Sequence, residues 1–207
     1  IMKKKILMTS IGGMFAHDFI RALRKSKDVF ILGTDINKTS NAYYLDKFEQ
    51  VSDPAKDKNK YIKKIIYLCK KYKINFILPG SDNECIEISK NLKLFDKMNI
   101  KTSVSNFKII KKIIDKNTLF KTLKDNKIDV GEWHTINNVK ELRRISKIMG
   151  YPKKKLIIKP RRGSGSKGVI ILDSRVIKFN YLLNDKKRFC GIGSIKAIDK
   201  ELKIIKK

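Results

Sequence analysis

Short apolar runs alternate with amphipathic segments over the first hundred residues, and this alternation limits the fold more than any other feature of the sequence. Residues 5–9, 29–32 and 74–78 are apolar runs typical of buried strands, each followed closely by glycine or proline. Residues 59–72 instead place isoleucines on one face of a helix and lysines on the other. Strands that alternate with helices form a parallel sheet with helices on its faces. We therefore predict an α/β fold for residues 1–103, with an open, mostly parallel, Rossmann-like sheet of about four or more strands.

The carboxyl ends of these strands carry the first candidate site, because open parallel sheets bind ligands at that edge. The candidate substrate loop combines residues that follow two of the strands: Gly12, Gly13, Ser81, Asp82 and Glu84. Gly12 and Gly13, with Asp35 after the next strand, also leave open a Rossmann-type dinucleotide-binding domain. The fingerprint GxGxxG is absent, so the glycine pair assures only a tight turn and a close helix start.

The pattern changes near residue 104. Apolar residues at helical spacing predict four further helices, which cover residues 109–114, 119–123, 139–148 and 174–184. Residues 156–159 and 169–172 are apolar runs that predict two strands, joined by a loop over residues 160–168. We predict that residues 104–207 form a helical linker followed by a partial α+β lobe.

The loop over residues 160–168 has the composition of a polyphosphate-binding segment. Its glycines let the backbone turn several N–H groups toward one point, its serines add hydroxyl donors, and its basic residues add positive charge. The candidate binding residues are Lys159, Arg161, Gly163, Ser164, Gly165, Ser166, Lys167 and Gly168, with Arg162 as a further cation. No GxxxxGK[ST] is present, so this is not a Walker loop. We predict a mobile, exposed hairpin tip, and a basic surface hairpin without a ligand stays open as the alternative.

Residues 157–169, IIKPRRGSGSKGV, resemble the phosphate-loop hairpin of the ATP-grasp superfamily, in the branch related to the large subunit of carbamoyl phosphate synthase. Residues 105–123 resemble the segment by which that family enters its ATP-binding region. Residues 1–103 resemble the family's preceding, pre-ATP-grasp α/β domain. Three stretches carry that likeness, residues 6–13, 33–35 and 77–84. The resemblance covers about residues 3–175, and the chain is identified on it as a member of the superfamily.

The resemblance implies that ATP is held between two α+β lobes of an ATP-dependent ligase. A small carboxylate of unknown identity would be activated as an acyl phosphate and then attacked by an amine or another nucleophile. Lys116 and Lys159 would contact the nucleotide phosphates, and the glycine-rich loop would close over the β- and γ-phosphates. The resemblance identifies no catalytic residue in this chain.

The family pattern continues past residue 207, where it supplies a second lobe and the carboxylates that bind Mg²⁺. In this sequence the acids after residue 194 are Asp199 and Glu201, and neither lies in a recognisable metal motif. We therefore predict no metal ligands here, although the family requires Mg²⁺. We expect a truncated chain that is not catalytically complete alone, with a partner chain as one way to complete the site.

The sequence is strongly basic, with 49 Lys+Arg against 20 Asp+Glu and a net charge of +29. This leaves a nucleic-acid-binding protein open as an alternative function. However, only eight of the basic residues are arginine, which proteins favour for reading base edges, and the lysines are spread over many helices. We therefore expect only non-specific electrostatic binding to nucleic acid.

The sequence also indicates the cellular compartment. No apolar run approaches the roughly 18 residues of a membrane-spanning helix, and the apolar stretch after the initial lysines is too short for a signal peptide. Three isolated cysteines, Cys69, Cys85 and Cys190, form no CxxC and indicate neither a disulfide framework nor a zinc site. We expect a cytoplasmic protein with no membrane partner.

Overall fold

The chain divides into two compact units, residues 1–112 and residues 113–207. The computed structural model describes residues 4–26, 28–163, 165–185 and 188–205. The domain boundary predicted from the sequence, between residues 103 and 104, lies earlier in the chain and remains a prediction.

A parallel sheet forms the centre of the first unit. Its strands in the described residues are β1 (Lys4–Thr9), β2 (Val29–Asp35), β3 (Lys47–Gln50), β4 (Phe76–Leu78) and β5 (Lys101–Thr102). They lie in the order β3-β2-β1-β4-β5, and every neighbouring pair is parallel. In the centre of the sheet, Ile6 of β1 lies between Ile31 of β2 and Phe76 of β4. The predicted α/β fold with an open, parallel, Rossmann-like sheet is confirmed.

Helices cover both faces of this sheet. They are α1 (Ala16–Leu23), α2 (Lys58–Tyr72), α3 (Asp82–Lys90) and α4 (Leu92–Lys97), with a short 3-10 helix at Ser40–Tyr44. A further helix, α5 (Phe107–Ile113), follows the last strand. Successive residues of β1 point to opposite faces, which produces two cores. Leu7 lies in one core together with Ile65 of α2, and Ile6 and Met8 lie in the other with Ile20 of α1.

The second unit combines a mixed sheet with helices. Its elements are α6 (Lys116–Asp125), α7 (Val139–Ile148), β6 (Leu156–Ile158), β7 (Val169–Leu172), β8 (Asn180–Asp185), β9 (Arg188–Gly193) and α8 (Ile195–Ile205). The strands lie in the order β6-β7-β9-β8, with an antiparallel pair at each edge and a parallel pair between β7 and β9. This arrangement confirms the predicted partial α+β lobe.

One predicted helix of the second unit is wrong. Residues 174–184 were expected to be helical, but Asn180–Asp185 form β8, which pairs with β9 so that Asn180 lies opposite Ile192. A short apolar run has no reliable helical or strand period of its own. The hydrogen bonds to a later strand decide its structure, and they are not visible in the local sequence.

The core of the second unit lies on one face of its sheet. Leu172 of β7 is fully buried and packs in a cluster with Leu142 of α7 and Ile198 of α8. Ile157 of β6 remains 61% exposed, so this strand keeps an apolar residue in contact with solvent. Helices α7 and α8 therefore stabilise the sheet that carries the β6–β7 loop.

The described residues contain neither a membrane helix nor a disulfide. No helix among them is long and apolar enough to cross a membrane. Cys69, Cys85 and Cys190 are free thiols, and burial raises the pKa of Cys69 to about 12.

Candidate functional site

The glycine-rich loop joins β6 to β7, which form an antiparallel hairpin with Ile158 opposite Ile170. Gly168 closes the loop at a backbone φ of 71°, and a Cβ there would lie 2.7 Å from Cγ of Pro160. Gly163, with a φ of 119°, would meet nothing within 4 Å if it carried a Cβ. The loop is therefore tightly packed at Gly168, whereas a side chain at Gly163 would lie in open space.

The tip of the loop is exposed, as predicted. Residues 161–163 and 165–167 are all solvent-exposed. Ser164, a predicted binding residue, lies outside the described residues, and the mobility of the tip stays a prediction. The side chain of Lys159, another predicted binding residue, is exposed to water.

Lys116 lies against the base of this loop, although 47 positions separate it from Gly163 in the sequence. Its Nζ donates to the carbonyl oxygen of Gly163 at 2.8 Å, and its backbone N–H donates to the carbonyl oxygen of Arg161 at 3.0 Å. Lys116 begins α6 because Asp115 caps the helix, accepting from the backbone N–H of Thr118 at 3.1 Å. The structure thus brings Lys116 and the loop together, and their role toward a nucleotide stays a prediction.

Asp115 also holds the two arginines at the start of the loop. Its carboxylate accepts from Nε of Arg161 at 2.8 Å and from Nε of Arg162 at 3.3 Å, and the residue is only 2% exposed. The Arg161 guanidinium, helped by the N–H of Thr118, holds the pKa of the Asp115 carboxyl well below its ordinary value. Asp115 is not among the site residues that the sequence predicts, and its carboxylate remains charged at neutral pH.

A cavity of about 360 Å³ lies within the second unit. Apolar side chains from α6, α7 and β6 line it, among them Phe120, Leu142 and Ile158. The lining also includes three of the predicted phosphate-binding residues: Lys116, Lys159 and Arg161. The cavity therefore combines an apolar wall with basic groups.

Trp133 supplies the aromatic part of this wall. Its indole N–H donates to Oδ1 of Asn117 at 3.1 Å, and its ring meets Phe120 edge-to-face, with 5.5 Å between the ring centroids. Nζ of Lys124 lies 5.8 Å from the centre of the same ring. Trp133 and Asn117 are not among the predicted site residues, because no motif in the sequence marks them. The one available signal was that the chain's single tryptophan lies in a polar connection after α6.

The candidate substrate loop of the first unit differs, because its polar groups bind one another. Glu84 is 2% exposed, and its Oε2 accepts from Oγ1 of Thr9 at 2.5 Å and from Oγ of Ser10 at 2.7 Å. Burial raises the pKa of Glu84, while the hydroxyl hydrogen bonds oppose that rise. The backbone N–H of Gly80 donates to Oγ1 of Thr9 at 3.2 Å. Glu84 therefore ties the end of β1 to the turn that precedes α3.

Asp35 closes the glycine pair of the same loop. Its Oδ2 accepts from the N–H of Gly12, and its Oδ1 accepts from the N–H of Asn37, both at 2.9 Å. A dinucleotide-binding domain would use such an N–H for the pyrophosphate and such an acid for a ribose. Here the two groups bind each other, which argues against that alternative. The other predicted residues of this substrate loop follow β1 and β4 at the same sheet edge: Gly13, Ser81 and Asp82.

Within the described ranges, no three histidine, cysteine or carboxylate side chains gather closely enough to hold a metal ion. Asp199 accepts from Nη2 of Arg143 at 3.1 Å, and the side chain of Glu201 lies outside the described residues.

Comparison with known families matches residues 6–103 to the PylC-like N-terminal domain. No curated protein matches the chain. Many solved structures are similar, and three of them show the range of proteins. The biotin carboxylase domain of Hydrogenobacter thermophilus 2-oxoglutarate carboxylase has a TM-score of 0.56 at 18% identity, over 99% of this chain and 40% of that chain. An L-amino acid ligase from Bacillus licheniformis has a TM-score of 0.58 at 13% identity, over 83% of this chain and 39% of that chain. Biotin carboxylase from Campylobacter jejuni has a TM-score of 0.54 at 19% identity, over 81% of this chain and 38% of that chain.

At these identities the likeness to solved structures shows the fold alone. Biotin carboxylases and L-amino acid ligases are ATP-grasp proteins, and this chain spans 38% to 40% of the length of these three structures. The resemblance to the ATP-grasp superfamily is therefore confirmed at the level of the fold: the N-terminal part of that fold is present, and residues 6–103 match the PylC-like N-terminal domain.

Proposed function

We propose that the second unit binds ATP and that the chain is the N-terminal part of an ATP-dependent carboxylate ligase. One observation carries the proposal: the cavity has apolar and aromatic walls and three basic side chains, of which Lys116 is bonded to the glycine-rich loop. The base would lie against Trp133 and Phe120. The phosphates would lie at Lys116, Lys159 and the loop.

The cavity suits a nucleotide in size and in chemistry. Ligand pockets have volumes of roughly 300–1,000 Å³ and are mostly apolar, with a few placed polar groups. A volume of about 360 Å³ accommodates a base and its ribose, while the phosphates extend to the exposed loop. Aromatic rings stack on bases, and lysine, arginine and glycine-loop N–H groups bind phosphate oxygens.

The names of the similar structures support the same ligands. The Hydrogenobacter domain is in complex with MgADP, ADP and bicarbonate, and the Campylobacter protein is in complex with an ATP species. The Bacillus protein is an L-amino acid ligase. For this chain we propose ATP and a small carboxylate as ligands. The loop sequence supports the branch related to carbamoyl phosphate synthase, and a cytoplasmic location, where ATP is available, belongs to the proposal.

In such a ligase a carboxylate oxygen attacks the γ-phosphorus, the bond to the β-γ bridging oxygen breaks, and an acyl phosphate and ADP form. Negative charge is spread over the phosphoryl group as it is transferred. In this chain, Lys116, Lys159 and the loop N–H groups would bind the phosphate oxygens and stabilise that charge. The loop would also cover the phosphates and exclude water from them.

Turnover, we further propose, requires another lobe, in the same polypeptide or in a partner chain. The chain spans 38% to 40% of the three similar structures, and in the described residues no three potential metal ligands lie close together. Loss of one stabilising donor commonly costs about 10²–10³ in rate, so the loss of a whole side of the site costs more. With Mg²⁺ present, ATP hydrolysis by this chain should be far slower than by the completed protein. Equal rates would contradict this part of the proposal.

Calorimetric titration with ATP tests the binding site. The wild-type chain should bind ATP at physiological salt, and Lys116→Ala should lower the affinity about tenfold or more, because it removes a charge-assisted contact. Lys121→Ala is the matched control, since Lys121 is an exposed lysine on the same helix and lies outside the cavity lining. It should leave the affinity within about twofold.

A single-stranded oligonucleotide in the same titration tests the nucleic-acid alternative. Non-specific binding by a basic protein weakens steeply as the salt concentration rises. We therefore expect little oligonucleotide binding at physiological salt. Tight oligonucleotide binding under that condition, together with no heat from ATP, would contradict the proposed function.

A further inference from the structure

Asp115 occupies a buried position between the start of α6 and the base of the glycine-rich loop. It is 2% exposed and accepts from the backbone N–H and Oγ1 of Thr118, at 3.1 and 3.2 Å. Its carboxylate also accepts from Nε of Arg161 and Nε of Arg162. A buried carboxylate is stable only with such partners. One side chain thus fixes both the helix start and the two loop arginines.

The two arginines keep most of their donors available for a ligand. Each guanidinium reaches Asp115 through Nε, and the side chains of Arg161 and Arg162 are 56% and 67% exposed. A guanidinium carries five N–H donors, so the terminal amino groups remain. Among the residues that the structure describes, none forms a hydrogen bond with these terminal groups.

Asp173, in the same unit, shows a structural pair for comparison. It is 4% exposed, and Arg175 binds it with both Nε and Nη2, at 3.0 and 2.9 Å. Lys155 adds a third contact at 3.0 Å. Arg175 therefore uses its bidentate fork on its own partner. Asp173 also follows β7, at the end of that strand opposite the loop.

We infer that Asp115 is a positioning residue, which orients Arg161 and Arg162 so that their terminal amino groups bind the phosphates of the nucleotide. The inference rests on the proposed ATP site and adds Arg162 to its binding residues. Lys116 contributes a third cation at the same place, with its Nζ bonded to Gly163. Three neighbouring cations repel one another, and the carboxylate offsets that repulsion before any phosphate is bound.

Asp115→Asn tests the inference in the full chain. Asparagine caps helices as well as aspartate, so α6 is preserved, but a neutral amide holds the guanidiniums weakly. We expect the affinities for tripolyphosphate and ATP to fall about tenfold, and the affinity for adenosine to stay within about twofold. Asp173→Asn is the matched control and should change none of the three affinities. Arg162→Gln should weaken tripolyphosphate binding, whereas Arg144→Gln, at an exposed position on α7, should not.

A second measurement separates positioning from a purely structural role. In the variant Arg161→Gln/Arg162→Gln, adding Asp115→Asn should no longer change tripolyphosphate affinity. The inference is overturned if Asp115→Asn still changes tripolyphosphate affinity in the double arginine variant. It is also overturned if Asp115→Asn weakens adenosine and ATP binding equally, or if it tightens phosphate binding. So does wild-type affinity for tripolyphosphate in the double arginine variant. A different result would contradict the ATP site: the chain binds ATP no more tightly than tripolyphosphate and does not bind adenosine. In that case the tripolyphosphate results still decide the role of Asp115.

Discussion

Each unit places a glycine-containing loop after a strand, yet the polar groups of the two loops are used in opposite ways. In the first, over residues 10–13, the N–H of Gly12 bonds to Asp35, and the hydroxyl of Ser10 bonds to the buried Glu84. The second loop, over residues 160–168, has an exposed, basic tip, and Lys116 and Asp115 form hydrogen bonds with its first residues. Glycine after a strand is therefore weak evidence for a phosphate site. The stronger evidence is a set of donors that the protein does not use itself.

The largest expected effect comes from breaking the internal bonds of the first loop. Glu84→Ala leaves the hydroxyls of Thr9 and Ser10 without their acceptor. Each buried group left unsatisfied costs about 1–3 kcal/mol, so the free energy of unfolding in urea should fall by about 3 kcal/mol. ATP affinity, measured where the variant is folded, should not change. Asp18→Ala is the control, because Asp18 is 69% exposed. A loss no larger than that of the control would show that the loop is not held by Glu84.

A substitution in the second loop should change ATP affinity more than it changes the stability of the fold. Gly168→Ala places a Cβ 2.7 Å from Pro160 at a φ of 71°, so the backbone must move. We expect ATP affinity to fall about tenfold, because the loop N–H groups lose their common direction. Gly131→Ala is the matched control, since a Cβ there meets nothing within 4 Å. Unchanged ATP affinity in Gly168→Ala would mean that the shape of the loop is not used for binding.

The smallest expected effect is that the contributions of Glu84 and Asp115 to stability depend on pH in opposite directions. Burial raises the pKa of Glu84 above its usual 4.5, so its contribution to stability is present below 4.5 and is lost as pH rises through the raised pKa. Arg161 lowers the pKa of Asp115 below its usual 3.8, so its contribution is present above 3.8 and is lost as pH falls through the lowered pKa. In stability curves between about pH 3 and 8, Glu84→Gln should alter the alkaline side and Asp115→Asn the acid side. Changes on the same side would contradict these assignments.

The sequence allowed most of the fold to be predicted where the periodicity is long and local. The amphipathic pattern of residues 59–72 produced α2, and the apolar run near residues 29–32 produced β2. Residues 174–184 were misassigned, because β8 exists only through its hydrogen bonds to β9. Short segments need their tertiary partner to fix their structure.

The candidate site was predicted only in part, for the same reason. Residues 160–168 are contiguous, so their glycines, serines and basic residues were visible in one stretch of sequence. The bond from Arg161 to Asp115 spans 46 positions, and the bond from Thr9 to Glu84 spans 75. Contacts over such separations decide which polar groups are used internally, and a single sequence does not show them.

Amide hydrogen exchange with and without saturating ATP tests the contrast between the two loops most directly. We predict that ATP slows exchange over residues 161–168 and at the start of α6, where donors are exposed and basic groups gather. Residues 11–13 should exchange equally with and without ATP, because their backbone N–H groups already donate to Thr34, Asp35 and Ser10. Protection confined to residues 11–13, with none over residues 161–168, would contradict the account and move the nucleotide site to the first unit.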